Sequence, residues 1–155
     1  MRRGYRVLLA RGTGTAEVER SRRLTAAAAE RGIAALHLPP GRALDGLRAS
    51  AAPIVTWEAD VAAFFAAVSA ADLYVGYDSA GQHIAAALGV PTLSVFVECA
   101  GPKHAARWRP CGPAPVQVVR SDVPPDQTRL LLRGCQAVRL LALERPLNGS
   151  RAPAA

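Results

Sequence analysis

The chain has 155 residues, half of them apolar, which is about one domain's length and enough to bury a sizeable core. Nineteen Lys and Arg against twelve Asp and Glu give a formal charge of +7, with Lys103 the single lysine, so an anionic partner is expected. The arginines are dispersed and only 5% of the residues are aromatic, fewer rings than a base-stacking platform wants, so no specific nucleic-acid partner is expected and only weak charge-driven binding stays open.

The elements follow in chain order. Tyr5 to Ala10 is an apolar run ended by the turn Gly12-Thr13-Gly14-Thr15, and Ala16 to Arg31 carries strong helix formers up to Gly32. Ile33 to Leu38 and Pro53 to Thr56 read as strands, separated by a short polar helix with Arg42, Asp45 and Arg48. Glu58 to Ala70 reads as a helix, Leu73 to Tyr77 as a strand, Ser79 to Leu88 as a helix capped by Gly89, and Thr92 to Phe96 as a strand. Val97 to Pro115 is rich in Gly, Pro and Arg and reads as loop, followed by a strand from Val116 to Val119 and a helix from Asp126 to Leu143. Short apolar strands alternating with helices predict βαβ units, and so an α/β fold: a three-layer, Rossmann-like, doubly wound parallel sheet over residues 1–145, with 146–155 a loose tail. Ligands of such sheets bind beyond the C-terminal ends of the strands.

Cys99, Cys111 and Cys135 are odd in number and form no Cys-x-x-Cys pair, which argues against a disulfide framework or a structural zinc site. His104 joins Cys99 and Cys111 on an Arg-rich loop, three scattered groups that predict no metal centre. The apolar run from Val7 to Ala10 is too short for a signal sequence or a membrane span. A cytoplasmic protein with at most peripheral membrane contact is expected.

Chemistry concentrates in the stretch from Ala71 to Thr92. A strand running into Asp78-Ser79 lets either side chain cap the next helix, and the free N–H groups of that helix's first turn then face the strand's end. The helix dipole adds about half a positive charge there, so a phosphate or diphosphate is favoured without a lysine. Gly81 lacks a Cβ where a phosphate would approach the backbone, and His83 is placed to donate to a phosphate oxygen or to the loop. Asp78 would repel a phosphate, so its expected use is to hold the loop or to accept from a sugar hydroxyl. Two other motifs fit less well. A dinucleotide fingerprint at Gly12 lacks its third Gly, Glu17 standing in that place. A nucleophile elbow over Tyr77 to Gly81 lacks the Gly two residues before the Ser.

The run Asp78-Ser79-Ala80-Gly81-Gln82-His83, then Ala85-Ala86-Ala87-Leu88-Gly89-Val90-Pro91, resembles the family 9 (heptosyltransferase-type) glycosyltransferases, with Ala80 where the family usually has its first Gly. Gly101-Pro102 and Trp108-Arg109-Pro110-Cys111-Gly112 are similar to the family's Gly-Pro-Thr and Trp-x-Pro-x-Gly segments. The resemblance covers about residues 5 to 120 and implies the donor-binding, C-terminal half of a two-domain GT-B glycosyltransferase of the kind used in lipopolysaccharide biosynthesis. It implies a nucleoside-diphosphate sugar as substrate, no metal or other cofactor, and donor contacts at Asp78, Ser79, Ala80, Gly81, Gln82 and His83, with Thr13, Glu17 and Lys103 as further candidates. Glu17 or Glu19 takes the role of the family's ribose-reading Glu. The acceptor site and general base would then lie on a separate N-terminal-type domain or chain, so no catalytic residue is assigned. A nucleotide-sugar-binding module without turnover, either a relic or one subunit of a split enzyme, is the alternative.

Overall fold

In a computed structural model of the chain, residues 5–12, 14–39, 50–58, 60–97, 102–121 and 124–144 are described. Thr13, the polar helix expected around Arg42 to Arg48, Cys99, Gly101 and the tail lie outside them. The strands are β1 (Val7–Ala10), β2 (Ala35–Leu38), β3 (Ile54–Trp57), β4 (Tyr74–Tyr77), β5 (Thr92–Phe96) and β6 (Val116–Arg120). The helices are α1 (Thr15–Ala29), α2 (Val61–Ser69), α3 (Ala80–Ala87), α4 (Pro102–Arg107) and α5 (Gln127–Leu143). Among the described residues every strand pairing is parallel and helices interleave with the strands, so the fold is α/β and Rossmann-like. The hydrogen-bonded ladders form two three-stranded sheets, in the orders β1-β3-β2 and β4-β5-β6, and the chain divides into two compact units, 1–67 and 68–155.

In the first unit β3 is central, pairing Val55 with Leu8 on one side and Leu36 on the other. Its core is Leu38, Val55, Trp57 and Ala67, with Leu8, Ala52 and Ala63 packed against it. α2 starts three residues later than the sequence suggests. Asp60 accepts from the Ala63 N–H at 2.7 Å and so caps the helix, while Glu58 is drawn into an ion pair with Arg11.

In the second unit β5 is central and nearly all buried. Alternation sends its side chains to two faces. Leu93 and Val95 join Val119, Ala137 and Leu141 in the core under α5, whereas Ser94 meets α3 through Gln82 and Phe96 meets α4 through His104. Helices therefore lie on both faces of this sheet, the arrangement that parallel strands require. Gly89 stands at φ +68° after the last turn of α3, where an L side chain would be strained and glycine is not. α5 opens at Asp126, whose side chain accepts from the Arg129 N–H at 3.0 Å. One element differs in kind from the sequence reading: residues 102–107, expected to be loop, form α4.

Candidate functional site

β4 ends at Tyr77, and the chain turns through Asp78 and Ser79 into α3. Asp78, Ser79, Ala80 and His83 are exposed, whereas Gly81 and Gln82 are buried. The surface a ligand can reach is thus the turn and the start of the first helical turn, with Gly81 and Gln82 beneath it. Ser79 occupies the N-cap in extended conformation (φ −157°, ψ 168°), yet its side chain makes no capping hydrogen bond. This corrects the expectation that Asp78 or Ser79 caps α3. The Ser79 hydroxyl donates to the phenol of a neighbouring ring, Tyr74. That ring lies over the Cα of Gly76, where an added Cβ would strike it.

Burial pushes the Tyr74 phenol above its ordinary value, and the hydrogen bond from Ser79 opposes part of that rise. A raised folded-state pKa means that the associated stability is present below the unfolded-state pKa of about 10 and is lost as pH rises through the folded value. Tyr74→Phe should therefore remove the late part of the alkaline tyrosine titration, read by ultraviolet absorbance, and shift the midpoint of alkaline unfolding upward.

Asp78 is held at both carboxylate oxygens. Oδ1 accepts from Gln82 Nε2 at 3.1 Å, and Oδ2 lies 2.7 Å from His104 Nε2. Gln82 is fully buried and accepts at Oε1 from the Ser94 hydroxyl. Its Nε2 also lies 3.3 Å from His83 Nε2 and 3.5 Å from the Trp108 carbonyl. An amide nitrogen has two hydrogens, and of the three groups around this one the Asp78 carboxylate is the nearest, so that bond takes priority. A chain of polar contacts thus runs from the buried middle of β5, through α3, to the loop and on to α4. The His104 ring also packs edge-on against the fully buried Phe96, centroids 6.1 Å apart. Lys103 is exposed beside His104 on α4.

Trp108 to Gly112 follow α4. Pro110 is fully buried, and Gly112 lies so close to α3 that a Cβ there would fall on the backbone of Ala86. In the first unit, Glu19 lies along α1, ion-paired with Arg22 and Arg23, which hold its carboxyl below its ordinary value. Glu17 turns back over the preceding loop, its carboxylate against Gly12. Arg11 pairs with Glu58 and approaches His37 at 3.4 Å, while His37 meets Thr56 Oγ1 at 3.0 Å; these side chains tie together the C-terminal ends of β1, β2 and β3.

Among the described residues no helix is long and apolar enough to cross a membrane, and no three His, Cys, Asp or Glu come together as metal ligands. His104, Tyr74 and Ser94 were not among the sequence-derived site residues. His104 and Ser94 come from outside the local motif and carry no spacing signal within it.

A parallel α/β domain with an open helix N-terminus at the end of a sheet strand is the setting in which such folds bind phosphorylated ligands. The family model described as glycosyltransferase family 9 (heptosyltransferase) matches residues 41–130, more than half of the 155, and the chain belongs to that family. No curated protein and no solved structure matches it.

Proposed function

We propose that this chain binds the diphosphate of a nucleotide sugar at the N-terminus of α3 and serves as the donor-binding part of a glycosyltransferase. The observation that carries the reading is the β4–α3 junction: an eight-residue helix opens at the exposed Ser79 and Ala80, beyond the C-terminal end of a parallel strand, with no side-chain oxygen capping it. First-turn N–H groups in that position attract an anion. Family membership supports the same reading, because the matched segment contains the junction and both flanking strands.

In this reading Asp78 shapes the loop, Gly81 and Gln82 support it from below, and His83 and Lys103 are the side chains offered to the diphosphate. Within the first unit, taken by itself, Glu17 is proposed for the ribose contact implied by the family resemblance, since Glu19 is engaged by two arginines. Thr13, next to Gly12 in the sequence, is retained as a proposed donor contact of that unit. In transfer, the bond between the anomeric carbon and the diphosphate oxygen breaks, its electron pair stays on the diphosphate, and the acceptor hydroxyl bonds to the carbon as it loses its proton to a base. The helix N–H groups stabilise the charge that grows on the leaving diphosphate. The base belongs to acceptor-side residues outside this set.

The test is thermal stability of the purified chain against nucleoside diphosphates and their sugars. A ligand at 100 times its Kd adds roughly 2.7 kcal/mol, so one base should raise the Tm clearly above the rest. No shift with any of them, from a cooperatively folded sample, rejects donor binding by this chain.

A further inference from the structure

We propose that His104 is a positioning residue of the donor site: it holds the Asp78 carboxylate through Nε2, so that this charge is engaged within the protein and the diphosphate meets the helix N–H groups of α3 instead. The inference rests on the donor-site reading above and goes beyond it by assigning a role to a residue on a different element. An unshielded carboxylate one residue before the N-cap would oppose any anion at that helix end. Here it has a partner at each oxygen: Gln82 from beneath at 3.1 Å and His104 from α4 at 2.7 Å.

The two partners are unequal. Gln82 is neutral and fully buried, and shapes the loop; His104 has a side chain 32% exposed and Asp78 one 38% exposed, so their contact lies at the surface a ligand reaches. A histidine N–H donating to a carboxylate is charge-assisted, the strong class of hydrogen bond. The His104 ring is fixed from two directions, by Asp78 at Nε2 and by the edge-on contact with buried Phe96. It can therefore hold the carboxylate in one orientation. The neighbouring cations of α4, Lys103 and Arg107, are both exposed. They add positive charge near this end of the unit without being the groups that engage Asp78.

The experiment uses the full chain with inorganic pyrophosphate as the probe, measured by calorimetry and paired with the Tm of each variant. His104→Ala should weaken pyrophosphate binding by roughly tenfold, and His104→Gln, whose amide N–H can reach the same carboxylate, should restore most of it. The decisive variant is Asp78→Asn/His104→Ala: with the carboxylate replaced by a neutral amide, losing His104 frees no negative charge, and affinity should return to within about twofold of wild type. A merely structural role would give a lowered Tm and no recovery in the double variant, which overturns the proposal. Unchanged affinity in folded His104→Ala also overturns it. Absence of pyrophosphate binding by the wild-type chain is a different failure, since it rejects the donor site itself.

Discussion

Gly112→Ala should destabilise the 68–155 unit by about 3 kcal/mol. The added Cβ would land on the carbonyl and Cα of Ala86, inside van der Waals contact, and backbone of a buried helix cannot swing aside as a flexible side chain can. Ala85 and Ala86 are both fully buried, so α3 is already packed to the limit on this side. Relief would require moving α3, and with it the Asp78–Ser79 turn that the helix begins from. Urea unfolding followed by circular dichroism should show the lowered midpoint. Gly134→Ala is the matched control. It lies inside α5 with nothing within 4 Å of an added Cβ, so helix propensity alone should raise stability by about 0.5–1 kcal/mol. Equal effects at the two glycines would show that the close approach at Gly112 is absent.

Gln82→Leu is expected to cost about 2–3 kcal/mol. The substitution leaves the buried Ser94 hydroxyl without its acceptor and Asp78 without one of its two donors. Leaving a buried polar group unmet costs more than the lost hydrogen bond was worth. The paired variant Gln82→Leu/Ser94→Ala removes both ends of the buried contact and should recover part of the loss in thermal unfolding. If the double variant is as unstable as the sum of the single ones, the Gln82–Ser94 contact does not couple the helix to the strand.

Much of the architecture is legible from local pattern. β5 falls on Thr92 to Phe96 as expected, because a short run of Leu, Val and Phe with small hydroxyl residues between Pro91 and a Gly- and Pro-rich segment reads as a buried strand. Gly89 closes α3 with the positive φ that a glycine after Ala-Ala-Ala-Leu suggests. The helix α4 was hidden because six residues beginning with Pro carry too little periodicity to register, although Pro is well tolerated in a first helical turn. The partition into β1-β3-β2 and β4-β5-β6 was not legible, since strand pairing is a long-range property that composition does not encode.

The candidate site divides along the same line. Asp78 to His83 could be read as a strand-to-helix turn because the signals are adjacent in the chain. Its partners could not: His104 is 26 residues from Asp78, and Ser94 is 12 from Gln82. Even the local expectation of a side-chain cap failed: Ser79 holds the N-cap position without accepting from the helix.

The central claim is that the N-terminus of α3 holds a diphosphate, and Ala80→Glu tests it most directly. Ala80 is exposed in the first helical turn, where a carboxylate interacts favourably with the helix dipole, so the Tm should stay level or rise slightly. The same carboxylate would stand where the diphosphate sits and repel it. Calorimetric titration with the nucleoside diphosphate preferred by wild type should give affinity lower by roughly a hundredfold in folded Ala80→Glu, whereas wild-type affinity in that variant would contradict the assignment of this helix end as the donor site.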